Sequence, residues 1–151
     1  GSTFYFQIPG QTKIDSEQIN KSEITKTKIV QNLNILFAEN DDINFKYIEK
    51  YLRYLNPLKL KGFLNGEDLL KEFKKDTDYN LILLDIQMPA MNGIECLSEL
   101  RKINKNIPAI AITAFARSED REKYLSLGFN EYAGKPFKKE ELYNKIASII
   151  N

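Results

Sequence analysis

The sequence predicts an α/β domain built as a doubly wound parallel sheet, five strands alternating with five helices. Three observations predict it. Leu81-Ile82-Leu83-Leu84 and Ile107 to Ile112 are apolar almost throughout, the pattern of strands covered on both faces. Between such runs lie segments with apolar residues at helical spacing. From residue 33 onward the two kinds of segment alternate without interruption, and that alternation produces a parallel sheet with helices on both sides.

The elements follow in order. Leu33 to Ala38 reads as the first strand. Glu39-Asn40-Asp41-Asp42 is an acidic turn at its carboxyl end, with Asp41 or Asp42 as helix cap. In the first helix Ile43, Tyr47, Ile48, Tyr51, Leu52 and Leu55 recur at helical spacing, and Asn56-Pro57 stops it. Leu58 to Phe63 alternates apolar and polar, as an edge strand does. The second helix is expected from Gly66 to Lys75, with Leu69, Leu70 and Phe73 inward. The Leu81 to Asp85 strand comes next. A loop closed by Pro89, Asn92 and Gly93 leads to a helix carrying Ile94, Leu97, Leu100 and Ile103. The fourth strand is Ile107 to Thr113, with Pro108 among its first positions, where a missing N–H is tolerated. A more polar helix from Ser118 to Leu127 stops at Gly128. A brief strand, Asn130 to Gly134, ends at Lys135-Pro136-Phe137. The last helix, Lys139 to Ile150, places Leu142, Ile146, Ile149 and Ile150 on one side.

Ahead of this domain the sequence changes character. Thr3 to Ile8 is rich in β-formers and is closed by Pro9-Gly10, so residues 1–10 read as a strand and turn. Residues 11–32 are polar and lack a consistent period, and read as a linker. The domain proper is expected over residues 33–151.

Composition narrows the function. The 22 basic and 21 acidic side chains leave a net charge of +1, so charge gives no support to nucleic-acid or anionic-membrane binding. The apolar runs are far shorter than a membrane span and no secretory leader is visible. The single Cys96 forms no internal disulfide and is expected as a core residue in a reducing, cytoplasmic compartment, although a longer parent chain could be membrane-anchored. There is no histidine, so catalysis here falls to carboxylates, hydroxyls, amides and lysine.

Those groups collect at one end of the sheet. Glu39, Asn40 and Asp41 follow the first strand, Asp85 the third, Thr113 ends the fourth and Lys135 follows the fifth. In a five-stranded doubly wound sheet strands one, three, four and five are neighbours, so these ends share one crevice, where ligands of such sheets bind. Carboxylates crowded together favour a divalent cation, and oxygen ligands favour Mg²⁺. Lysine suits a phosphoryl oxygen. The set describes a site in which Asp85 attacks phosphorus.

The Asp85 loop, Thr113-Ala114 and Lys135-Pro136-Phe137 closely resemble the receiver domain of two-component response regulators over residues 33–150. The resemblance implies a flavodoxin-like (βα)5 sheet in the order 2-1-3-4-5. It implies that Asp85 is the phosphoacceptor and that Thr113 is the switch hydroxyl. It implies that Lys135, joined to Pro136 by a cis bond, contacts phosphoryl oxygens, and that Tyr132 is the aromatic that packs inward on activation. It also implies that Mg²⁺ is held by Glu39, Asn40, Asp85 and the Gln87 backbone carbonyl. A phosphohistidine donor and a downstream signalling protein are the implied partners, with no direct nucleic-acid or membrane contact. Gln87 and Phe115 are placed to gate the attacking water and so to set phosphoryl lifetime. One departure weakens the metal site: Asn40 stands where the family has a second acid, which predicts lower Mg²⁺ affinity unless Asp41 contributes after a loop shift.

Gly1 to Pro9 resembles the last glycine-rich turn and strand of a histidine-kinase ATP-binding domain, the order expected in a hybrid histidine kinase. Gly1-Ser2 is equally what a cloning tag leaves behind. A competing reading is a degenerate receiver that acts only as an interaction module. A metal-dependent phosphatase with an Asp nucleophile would need an acid where Gln87 stands. A flavin-binding domain would need a phosphate-cradling loop after the first strand, and none is present.

Overall fold

The computed structural model describes residues 32–150; the expected leading strand and all but the last residue of the linker lie outside them. Five strands, β1 (Asn34–Ala38), β2 (Lys59–Phe63), β3 (Leu81–Asp85), β4 (Ala109–Thr113) and β5 (Glu131–Gly134), form one sheet in the order β2-β1-β3-β4-β5. Every pairing is parallel. The helices between and after them are α1 (Asp42–Arg53), α2 (Gly66–Lys75), α3 (Gly93–Ile103), α4 (Arg121–Ser126) and α5 (Lys139–Ile149). The predicted fold class and strand order are those observed.

Alternation along the central strands divides the core into two layers. Leu36, Ala38, Ile82, Leu84, Ala109 and Ala111 face α2, α3 and α4, against Leu69, Phe73, Leu97 and Leu100. Ile35, Phe37, Leu81, Leu83, Ile110 and Ile112 face α1 and α5, against Ile48, Leu52, Leu142, Tyr143 and Ile146. Both faces of β1, β3 and β4 are therefore dry over Ile35–Ala38, Leu81–Leu84 and Ala109–Ile112, which is why those runs are apolar at every position. Each buried Leu, Ile or Phe among them contributes roughly 1.5–3 kcal/mol. The edge strand β2 is half-buried at Lys59 and Leu60, and its lysines are tied to acids of the α2 end. Lys59 Nζ lies 2.6 Å from Asp76 Oδ2 and Lys61 Nζ 2.9 Å from Glu72 Oε2. Charges on an edge strand also oppose pairing with another chain.

Local signals set the helix ends. Asp41, and not Asp42, caps α1: its carboxylate accepts from the N–H groups of Ile43 (2.9 Å) and Asn44 (3.0 Å). Asn65 caps α2 and Asn92 caps α3, the latter in a capping box with Glu95. Gly128 follows α4 with φ of 106°, a left-handed position that suits glycine.

Four expectations need correction. The helix expected over Ser118 to Leu127 is a 3-10 turn at Ser118–Asp120 followed by the short α4. Ile43 and Tyr47 share the period of α1 but are 68% and 56% exposed, because its packed stripe runs through Ile48, Leu52 and the half-buried Phe45 and Tyr51. Ile103, at the end of α3, is likewise exposed. Strands β2 and β4 begin at Lys59 and Ala109, so Leu58 and Pro108 precede them. No helix among the described residues is long and apolar enough to cross a membrane.

Candidate functional site

Each polar residue of the site is delivered by a strand whose register is fixed by the core. β1 carries four fully buried residues, Ile35 to Ala38, to its end, and Glu39 follows, itself wholly buried. The Glu39 N–H donates to the Phe63 carbonyl at 3.0 Å, which extends the ladder to β2 and fixes the carboxylate. β3 delivers Asp85, buried at 2% exposure. β4 delivers Thr113, and the Lys135 N–H at the end of β5 donates to the Thr113 carbonyl at 2.8 Å. The Lys135-Pro136 peptide is cis, as the resemblance implied.

The loop after Asp85 folds back tightly on its own strand. The Gly93 N–H donates to the Ile86 carbonyl at 3.1 Å. A Cβ at residue 93 would collide with the backbone oxygen of Asp85, so only glycine permits this return. The Gln87 N–H donates to Asp85 Oδ1 at 3.2 Å.

Lys135 joins the two acids. Its Nζ lies 2.7 Å from Glu39 Oε1 and 3.2 Å from Asp85 Oδ2. Beyond this ion pair with Lys135, neither Glu39 oxygen has a hydrogen-bond partner among the described residues. Burial, and next the neighbouring Asp85, push the Glu39 carboxyl up to about 7, with Lys135 opposing. For Lys135 burial disfavours the charge, yet the two carboxylates hold its ammonium above the usual lysine range.

Asn40 completes the rim. Hydrogen-bond logic orients its amide nitrogen inward, donating to Asp85 Oδ2 at 2.9 Å and to the Gln87 carbonyl at 3.0 Å. The opposite orientation would set three oxygens together with no donor among them, an arrangement that suits a cation. The crevice is lined by Asn40, Asp85, Gln87, Ala114, Lys135 and Pro136 among others. The Asp85 carboxylate, the Asn40 amide and the Gln87 carbonyl at this crevice are hard oxygen donors, and Glu39, buried behind them with no hydrogen-bond partner beyond its Lys135 ion pair, is the second carboxylate that fits Mg²⁺. Among the described residues no group of three or more acids, cysteines or histidines is gathered for a metal. Asp41 does not supply a third acid here, because its carboxylate is engaged in capping α1.

The predicted residues are not all brought together. Glu39, Asn40, Asp85, Gln87 and Lys135 converge. Thr113 Oγ1 instead accepts from the Phe115 N–H at 3.1 Å and from the Tyr124 hydroxyl at 3.3 Å. The Phe115 side chain is 65% exposed. Tyr132 is half-buried, and its hydroxyl donates to the Arg117 carbonyl at 3.1 Å. Tyr124 does not stand out in the sequence. The signal available is a lone aromatic in a polar helical segment, eleven residues after Thr113.

The fold and this crevice define an α/β signalling module of the two-component type. The chain belongs to the response regulator receiver domain family, whose sequence model matches residues 35–147. Among its relatives is hybrid signal transduction histidine kinase K of Dictyostelium discoideum, 30% identical over 99% of this chain and 13% of the kinase. Another is the autoinducer 2 sensor kinase/phosphatase LuxQ of Vibrio vulnificus, 31% identical over 97% of this chain and 17% of that protein. The chain thus spans less than a fifth of these two kinases. Among solved structures, the receiver domain of a Pseudomonas aeruginosa sensor histidine kinase, with a magnesium ion coordinated in its active-site cleft, superposes with a TM-score of 0.70 at 31% identity. That match covers 80% of this chain and 98% of the other. A Borrelia burgdorferi CheX–CheY complex superposes at 0.73 and 22% identity, over 79% of this chain and 90% of the other, a likeness of fold.

Proposed function

We propose that this domain accepts a phosphoryl group from phosphohistidine onto Asp85. The observation that carries the reading is the placement of Lys135 Nζ 3.2 Å from the buried Asp85 carboxylate and 2.7 Å from the buried Glu39. In the transfer, the N–P bond of the donor breaks as the Asp85 Oδ–P bond forms. Lys135 turns from the carboxylates to the phosphoryl oxygens and offsets their charge. Glu39, Asn40 through its amide oxygen, Asp85 and the Gln87 carbonyl are the residues that would hold Mg²⁺. When bound, that ion supplies charge neutralisation and orientation of the phosphoryl oxygens. Hydrolysis of the Asp85–phosphoryl bond then regenerates the carboxylate. Gln87 and the exposed Phe115 flank the approach of that water and tune the lifetime.

The phosphoryl group draws Thr113 inward and Tyr132 follows, which changes the face around α4, β5 and α5 for a downstream protein. The resemblance of residues 1–10 to the end of a kinase ATP-binding domain, for which a tag is the alternative, followed by the polar residues 11–32, supports a hybrid histidine kinase as the parent. The donor is that kinase core or a phosphotransfer domain, and the location is cytoplasmic. A second reading, an interaction-only module, is favoured by the Asn40 amide, which satisfies Asp85 and Gln87 without a cation. Incubation with acetyl phosphate and Mg²⁺ separates the two. A gain of one phosphoryl group in intact mass, absent in Asp85→Asn, supports acceptance; an unchanged mass supports the interaction module.

A further inference from the structure

Tyr124 occupies a position that the phosphoryl-transfer scheme does not use. Its ring is buried at 5% exposure, in the apolar layer beneath α4. Its hydroxyl donates to Thr113 Oγ1 at 3.3 Å. Its ring stacks on Tyr132, with centroids 5.7 Å apart and planes 30° apart, and meets Phe129 edge-on at 6.3 Å and 84°. Tyr124 therefore touches both Thr113 and Tyr132, the two residues assigned to the switch.

A threonine hydroxyl has one proton and two acceptor positions. Here the Phe115 N–H and the Tyr124 hydroxyl both donate to it. If Oγ1 turns toward a phosphoryl group on Asp85, the buried Tyr124 hydroxyl loses the acceptor it now has. A buried hydroxyl left without a partner is costly. The ring acts in the same direction. It is buried and stacked on the half-buried Tyr132, whose own hydroxyl is tied to the Arg117 carbonyl, so an inward move of Tyr132 breaks that stack. A group that interacts better with one of two states shifts the equilibrium toward it.

We propose that Tyr124 is a positioning residue that latches Thr113 and Tyr132 in the unphosphorylated conformation and so raises the threshold for phosphoryl binding. This rests on the reading of Asp85 as phosphoacceptor. Tyr124 touches no reacting atom. Phe129 holds the ring, so removing the hydroxyl alone releases the Thr113 arm of the latch while the packing stays.

The test is calorimetric titration of beryllofluoride, a phosphoryl mimic, at saturating Mg²⁺ into wild type, Tyr124→Phe, Thr113→Ala and the double variant. Thermal midpoints are recorded for each variant. Tyr124→Phe is expected to bind about threefold to tenfold more tightly than wild type, the loss of one hydrogen bond specific to the unliganded state. In the Thr113→Ala background the same change is expected to have no effect, because its acceptor is gone. Equal affinities of wild type and Tyr124→Phe, or the same gain with and without Thr113, would overturn the latch. Absence of binding by wild type and Tyr124→Phe alike would overturn the phosphoacceptor reading and the latch with it.

Discussion

Lys135 Nζ sits 2.7 Å from Glu39 Oε1, and the same nitrogen reaches Asp85 Oδ2 at 3.2 Å. One cation thus balances two carboxylates that are almost completely out of water. Removing one member of a buried charged set leaves the others uncompensated. Lys135→Met keeps the apolar stem and removes the charge. It is expected to lower unfolding free energy by about 3 kcal/mol in EDTA at neutral pH. Added Mg²⁺ should restore part of the loss. Urea titration checks both; a stability equal to wild type would show that the acids escape by protonation.

Asn40 supplies an amide where a carboxylate would bring charge to the proposed Mg²⁺ site. Its nitrogen is satisfied by Asp85 and Gln87 only while no cation is bound. Asn40→Asp adds a charged oxygen ligand and removes that competing donor. Mg²⁺ affinity measured by calorimetry is expected to rise about tenfold, or about 1.4 kcal/mol. The metal-free variant should unfold at a lower temperature, since a third carboxylate joins Glu39 and Asp85. Unchanged affinity would mean that Asn40 does not limit the site.

The sheet was legible because β1, β3 and β4 are buried on both faces, and a short run that is apolar at every position fits a strand covered on both sides. Asp85 and Lys135 were legible because each lies at the carboxyl end of a strand, so their convergence is a consequence of topology. Ile43 and Tyr47 misled because a 3.6-residue period marks a face without saying whether anything covers it; Ile48 and Leu52 are covered and these two are not. The Ser118 to Leu127 segment carries weak periodicity, and its first turn tightened into a 3-10 helix. The inward turn of the Asn40 amide and the Tyr124–Thr113 bond depend on side-chain rotamers, which no sequence pattern encodes.

Away from the site, Glu72 is buried against Lys61 and accepts from the Tyr79 hydroxyl at 2.9 Å. The Lys61 ammonium holds its carboxyl below the ordinary glutamate range, with Tyr79 adding to the effect against the cost of burial. A depressed carboxyl stabilises the fold above its unfolded value and loses that contribution as pH falls through its folded value. Glu72→Gln is therefore expected to cost about 0.5–1 kcal/mol at pH 7, since Lys61 is half-exposed and screened. The cost should vanish when the carboxyl is protonated in both states. Thermal midpoints across an acid series check this; a pH-independent difference would contradict it.

Cys96 is fully buried on α3, and burial pushes its thiol up to about 12. Thiolate, not thiol, reacts with disulfide reagents. The native protein at pH 8 should therefore be inert to Ellman's reagent and release one equivalent after denaturation. Rapid labelling of the native state would show that α3 opens readily from the sheet.

The proposed role of Asp85 is to receive phosphoryl from phosphohistidine. The direct measurement is transfer of labelled phosphoryl from an autophosphorylated histidine-kinase core, with Mg²⁺, to wild type and to Asp85→Asn. Label is expected to leave the kinase and appear on wild type in an acid-stable, base-labile form, with none on Asp85→Asn. Label that stays on the kinase, or that reaches both proteins equally, would contradict it.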